Sequence, residues 1–416
     1  MSDFLSLYAE SAYTSLGLFW MAFWAFGLGY LVSSIIQEVI THDQMQSHMG
    51  DATIKSISTG TFFGFISSSC SFAALSTTRA LFTRGAGLTP AISFLLASTN
   101  LVIELGLVIA MFLSWHFVVA EYAGGLLLII ISALIMKFTL SESMEENARE
   151  HAQDIESQHH HHDSSDNDSD SMSLAQKMRS VHFWKSLSNA YLMEWKMVWQ
   201  EVTVGFTVAG VISTMVPKSF FKSLFIGSGQ ADAGFFDVLI QAIIGPVAAF
   251  FTFIGSMGNI PLAAVLASNG VSFAGVIAFI FSDLVVFPVL KIQAKYYGWK
   301  MALYIAGVMF AALVSASIIL HYSFDMIGLL PEPSTFSSIT ERNFFKMDYS
   351  FWLNMLFIVL TGGSLALKHW GSSSEEHGHH HDHGSDESLI DKAVKWAAYL
   401  SFVWLGLGLI LHFIHA

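Results

Sequence analysis

Two stretches of this chain repeat each other. Thr61–Leu113 and Ile244–Gln293 fall into register at one ungapped offset of 183 positions. Gly87 lands on Gly270, Ala80 on Ala263, Ala91 on Ala274 and Leu96 on Phe279. The string Thr99-Asn100-Leu101-Val102 lands on Ser282-Asp283-Leu284-Val285. Each copy reads as an apolar span, a short turn of small residues, and a second apolar span interrupted by a polar pair. Duplicated, interrupted hydrophobic segments in the two halves of a chain mark the solute site of a membrane transporter. The alternative is chance similarity between two apolar, alanine-rich stretches. Matching glycines and matching polar interruptions at a single offset argue against it.

The chain has 416 residues, 53% hydrophobic and 12% charged, with a mean hydropathy of +0.55. A soluble domain carries about 25% charged residues, so this chain cannot cover a soluble surface. Several windows approach the ~20 apolar residues that cross a bilayer. The expected fold is an all-α polytopic membrane protein of about ten helices. It has two repeated halves with glycine-rich broken-helix hairpins. The net charge of −13 comes largely from two polar tracts, 141–180 and 371–391, which hold 16 of the 32 acids. The membrane body is therefore nearly neutral, and no basic stripe suggests nucleic acid. The single cysteine, Cys70, excludes an internal disulfide and a multi-thiolate cage. The N-terminus lacks a basic leader and a small-residue cleavage site, so the segment from Leu16 to Val32 reads as a retained first span.

Four regions follow. Residues 1–140 form the first membrane half. Residues 141–196 comprise a His/Asp-rich tract too polar to fold and an amphipathic segment, 181–196, suited to the membrane surface. Residues 197–322 form the second half. Residues 323–416 add spans outside the repeat, separated by a His-rich loop at 372–391. If ten spans are counted, Arg79 and Arg84 fall on one face and Lys218, Lys222, Lys291, Lys295 and Lys300 on the other. An odd number of spans per half would make the halves inverted, an even number parallel, and the sequence leaves both open.

Buried polar residues carry the functional signal. Carboxyls and amides at mid-bilayer cost several kcal/mol unless neutralised, paired or solvated. Asn100, Glu104 and Asp283 are such residues, and the repeat sets Asp283 where Asn100 stands. A desolvated carboxyl suits proton exchange near neutral pH; helix–helix hydrogen bonding is the competing role. Ser67–Ser71 and Gly255–Pro261, with Asn259 and Pro261, read as helix breaks whose N-termini favour anionic groups, or else as close packing by small residues. Cys70, Ser71 and Ser282 complete the expected solute and ion pathway. His159, His160, His161, His162, His377, His379, His380, His381 and His383 offer imidazoles to Zn, Cu or Ni, with weak, fluxional geometry, or serve as solvated linkers. No other cofactor is expected, and no enzyme motif occurs. The expected partners are the lipid bilayer, a small solute or metal ion, and protons, with a homo-oligomer left open.

The run Cys70-Ser71-Phe72, followed by Arg84-Gly85-Ala86-Gly87-Leu88 and Ala91-Ile92-Ser93-Phe94-Leu95-Leu96-Ala97-Ser98, resembles a family signature. The family is the ArsP-type predicted permeases, which includes organoarsenical efflux permeases. Gly258-Asn259-Ile260-Pro261-Leu262-Ala263-Ala264, with Gly270 and Ala278-Phe279, resembles the family's second signature. The resemblance covers roughly Leu16 to His321. It implies an inner-membrane permease exporting a small solute, with the signature hairpins near the substrate. Cys70 matches the first cysteine of a Cys-Ser-Cys signature, Phe72 replaces the second, and Ser76 stands where proline is frequent. Loss of one thiol weakens the case for trivalent arsenic. The His-rich loops and C-terminal spans depart from the pattern and point to a metal ion or its complex. The alternative is a metal-sensing or assembly subunit that uses the His tracts and transports nothing.

Overall fold

A computed structural model of the chain describes residues 2–39, 53–67, 71–157, 181–229, 234–250, 255–331, 342–370 and 389–415. Among the described residues the elements are helical and no strand occurs. The first half consists of α1 (Ser2–Val39), α2 (Ile54–Ser67), α3 (Ser71–Thr83), α4 (Leu88–Asn100), α5 (Ile103–Phe112) and α6 (Trp115–Thr139). A polar helix, α7 (Glu142–Ser157), follows. The second half consists of α8 (Val181–Met215), the short α9 (Lys218–Leu224), α10 (Phe235–Phe250), α11 (Ser256–Ser268) and α12 (Phe273–Ile280). A 3-10 turn at Phe281–Val285 then leads to α13 (Phe287–Tyr297) and α14 (Trp299–Met326). Beyond the repeat lie α15 (Tyr349–Trp370) and α16 (Leu389–His415).

The offset of 183 holds across both halves. It carries α2 onto 237–250, against α10 at Phe235–Phe250, and α3 onto 254–266, against α11 at Ser256–Ser268. It carries α6 onto 298–322, against α14 at Trp299–Met326, and α1 onto α8.

Side-chain contacts fix the direction of each element. Gln241 Oε1 accepts from Ser272 N, and one turn later Gly245 meets the Gly275 carbonyl and Phe279. α10 therefore runs alongside α12 in the same direction. α11, between them in sequence, must return, so α10 and α11 form a helical hairpin. α2 and α3 stand in the equivalent place, with Gly64 against the Phe94 carbonyl and Ala97 of α4. At about 1.5 Å per residue, helices of 13 to 16 residues are some 20–24 Å long. That is short of a ~30 Å hydrocarbon core. Each hairpin thus enters and leaves on one side, and Ser56–Leu75 and Phe235–Phe253, apolar enough to be counted among ten spans, contain re-entrant arms.

Eight candidate crossings remain: α1, α4 with α5, α6, α8, α12 with α13, α14, α15 and α16. Ser15 Oγ donates to Thr207 O, while Trp195 stacks among Phe23, Phe26 and Tyr30, so α1 and α8 are antiparallel. Thr139 bonds Tyr304 at one end of α6 and α14, and Gly124 meets Leu320 toward the other, so these two are antiparallel as well. Each half makes three crossings around one re-entrant hairpin. The odd number makes the halves inverted, which settles the choice the sequence left open.

One face, the α7 face, gathers the α3–α4 turn, the end of α6, α7, and the α13–α14 junction. Arg149 of α7 donates to the Phe82 and Ala86 carbonyls, Leu88 N donates to Glu145, and His151 bonds the Lys295 carbonyl. The opposite α9 face gathers α9, the mouth of the second hairpin, and the starts of α6 and α12. Arg79 and Arg84 therefore share the α7 face with Lys291, Lys295 and Lys300. The ten-span count had separated them, because it took each re-entrant hairpin as a crossing.

Two regions of the polar connector differ from expectation. Residues 142–157 are helical, held by the contacts of α7. Residues 181–196, expected on the membrane surface, are the first part of a continuous 35-residue α8. A helix of that length exceeds the bilayer, so its aromatic and lysine-bearing end projects past the core while its axis continues inward.

The broken spans form the centre. Every residue of α4 is buried, and the Phe273–Tyr297 span is 83% buried against 17% for α15 and α16, which sit at the periphery. α15 is fixed to α1 by Asn354, whose Oδ1 accepts from Trp24 N at 2.9 Å and whose Nδ2 donates to Trp20 O at 2.7 Å. The amide thus inserts where an i to i−4 bond of α1 would lie.

Candidate functional site

Both broken spans break at the polar residues the repeat aligns. α4 ends at Asn100, Leu101 and Val102 leave the helical region, and α5 restarts at Ile103 after a bend of 41°. Backbone groups freed inside a membrane need other partners. Asn100 Nδ2 donates to Leu96 O and to Thr99 Oγ1, both at 3.0 Å. Tyr122 of α6 donates at 3.3 Å to the Val102 carbonyl, which also accepts from Gly106 N at the start of α5. In the second half, Ser282 Oγ donates to Phe279 O at 2.5 Å. Val286 is extended ahead of Pro288, which lacks an N–H and opens α13.

Asp283 lies in the second break, 2% exposed. Ser256 Oγ, at the first residue of α11, donates to its Oδ2 at 2.5 Å. The tip of the second hairpin thus meets the break of the span beside it. Glu201 of α8 presses its carboxylate on Gly255, the residue that precedes α11, and the charge of Asp283 reaches it. Two carboxylates therefore face the N-terminus of one half-helix, where exposed N–H groups favour negative charge. α8 comes this close because glycines meet: a Cβ on Gly205 would lie 2.5 Å from the Gly258 Cα. Asn259 and Pro261 follow in the first two turns of α11, both fully enclosed.

α6 joins the two breaks. A Cβ on Gly124 would meet Phe281 at 2.5 Å, and one on Gly125 would meet Leu101 at 2.8 Å and Asn100 at 3.4 Å. One turn earlier, Glu121 is fully buried, and the charge of Asp283 reaches it too. Glu104 opens α5, 5% exposed, packed on Gly29 of α1. Its carboxyl also sits at a half-helix N-terminus, and α5 packs against α11.

Of the residues expected from sequence, Asp283 meets the Gly255–Pro261 turn through Ser256, and Asn100 and Glu104 flank the first break. Cys70 lies outside the described residues, as do His159, His160, His161, His162, His377, His379, His380, His381 and His383. Ser71 begins α3, with its side chain outside the described set. Glu121 and Glu201 were missed. Their signal was present, since each is an acid inside an apolar helix, but each lies near the end of its hydrophobic window.

Two inverted halves, each with a re-entrant hairpin and a broken span, form the architecture of a membrane transporter. The chain matches the model of the ArsP_1 predicted permease family over residues 9–322, the stretch that contains both halves, and it belongs to that family. It is similar to Putative permease Rv2963 of Mycobacterium tuberculosis (strain ATCC 25618 / H37Rv). The two are 33% identical over 364 residues, covering 83% of this chain and 86% of that protein. No solved structure matches the chain.

Proposed function

We propose that this permease is a secondary transporter of the inner membrane that exports a small solute in exchange for protons. The solute is a metalloid, an organoarsenical or a metal ion. The observation that supports the reading is the meeting of Asp283 with the start of α11, beside Glu201 and Glu121. Carboxylates from three separate elements approach one helix break, where Ser256 at the start of α11 holds Asp283. Such a centre favours cations and protons over anions. Asn100 and Glu104 at the first break extend the pathway on the other side of α6, and Cys70 and Ser71 are proposed to belong to it. Rocking of one half against the other would expose the centre to each face in turn.

The positive-inside rule gives the orientation. The α7 face carries Arg79, Arg84, Lys137, Arg149, Lys291, Lys295 and Lys300, whereas the α9 face carries Lys218, Lys222, Arg342 and Lys346. The α7 face is therefore taken as cytoplasmic. Both His-rich segments leave from helices that end there, α7 at Ser157 and α15 at Trp370. That shared face supports a second reading, in which the histidines capture Zn, Cu or Ni and the membrane body serves a sensor or an assembly.

Flux in proteoliposomes separates the readings, using methylarsenite, Zn, Cu and Ni as probes. The transporter reading expects uptake of at least one probe, retained after deletion of 158–170 and 374–386. Transport that vanishes with those deletions, while the remaining protein is folded, moves the function to the histidines.

A further inference from the structure

Glu121 stands three and four residues before Gly124 and Gly125, and so on the same side of α6. It is 0% exposed, and among the described residues neither of its carboxylate oxygens has a hydrogen-bond partner. An ionised carboxylate held this way is costly, while a neutral carboxylic acid in the same place costs far less. Its surroundings supply a reason for the charge to change. The 3-10 turn brings Asp283 within electrostatic reach, and α5 brings Glu104, whose charge, like that of Glu121, acts on Tyr122. α14 brings His321, whose Nδ1 has no partner among the described residues, with Asp325 beside it. α4 and α12, also packed on α6, contribute no titratable side chain.

A divalent ion needs about four or more ligands. Among the described residues no group of three or more His, Cys, Asp or Glu could hold one. The proton is the cation that a single carboxyl can bind. Glu121 is also six residues from the start of α6, about 9 Å from the α9 face, so a proton has a short route to water there.

We propose that Glu121 is the proton-binding residue of the transport cycle. It takes up its proton from water at the α9 face and is neutral while Asp283 is ionised and empty, and it gives the proton up toward the α7 face when solute from that side occupies the centre of Asp283 and Glu201. The inference rests on the permease reading and names its coupling residue. It gives Glu121, not Asp283 or Glu104, the exchanging proton.

The test is infrared difference spectroscopy of the full-length protein in lipid, with the pH stepped from about 5 to about 9. Wild type should show the carbonyl stretch of a buried carboxylic acid that disappears as pH rises. Glu121→Gln should lack that band and Glu104→Gln should keep it. If Glu121→Gln does not fold, Glu121→Asp should move the band and its midpoint. A pH-dependent band unchanged in these Glu121 variants, or a Glu121 band constant across the range, overturns the proposal. The spectrum needs no solute. Absence of flux for every probe would remove the permease reading alone, and active flux with a pH-invariant Glu121 would remove this inference alone.

Discussion

Ser256 Oγ donates to Asp283 Oδ2 at 2.5 Å, and this bond ties the inner end of a re-entrant helix to the break in a neighbouring span. Any movement of the second hairpin relative to α12 and α13 must stretch or replace it. A hydrogen bond to a charged group contributes about 1.5–3 kcal/mol. Ser256→Ala is expected to lower flux about tenfold or more while the protein still folds. Initial rates in proteoliposomes, normalised to folded protein, check this, and an unchanged rate would remove the bond from the cycle.

Close approach of α8 and α11 depends on Gly205 meeting Gly258. Gly205→Val places methyl groups inside the facing backbone, so the helices must separate. Overpacking of this kind costs about 1–3 kcal/mol or more. The melting temperature in detergent should fall. Gly307→Val on α14 is the control, because a Cβ there meets nothing within 4 Å. Equal melting temperatures for the two variants would contradict the packing described.

Arg149 holds the α3–α4 turn from α7, with its guanidinium on two carbonyls, over the Phe82 ring and beside Glu145. Arg149→Ala should speed amide hydrogen exchange across residues 83–88 by tenfold or more. Arg149→Lys should restore little, since one ammonium cannot reproduce the fork. Exchange as slow in Arg149→Ala as in wild type would show the turn to be held by other contacts.

Inverted halves make a direct prediction about sidedness. With Cys70 replaced by alanine, single cysteines at Arg84 and Lys295 should react with an impermeant maleimide from the same side, and one at Lys222 from the other. Labelling of Arg84 and Lys295 from opposite sides would restore the ten-span arrangement.

Much of this fold was legible in the sequence because the repeat offset is a property of residue order. Gly87 with Gly270 and Asn100 with Asp283 gave the halves and located both breaks. Hairpin direction was not legible. Ser56–Leu75 and Phe235–Phe253 are each apolar enough to read as a crossing, and hydropathy does not record whether a chain turns back within such a stretch. Reading Phe235–Phe253 as a crossing placed Arg84 and Lys295 on opposite faces. Glu121 and Glu201 escaped for a related reason. α6 starts at Trp115 and α8 at Val181, before the stretches that read as hydrophobic spans, so acids more than one turn inside each helix looked like its boundary.

Asp283→Asn tests the central claim most directly. The measurement is flux of whichever of methylarsenite, Zn, Cu or Ni the wild-type protein carries, driven by a pH gradient in proteoliposomes. The carboxylate centre at the helix break requires that flux fall to background while the variant stays folded and monodisperse. Flux equal to wild type in folded Asp283→Asn would contradict it.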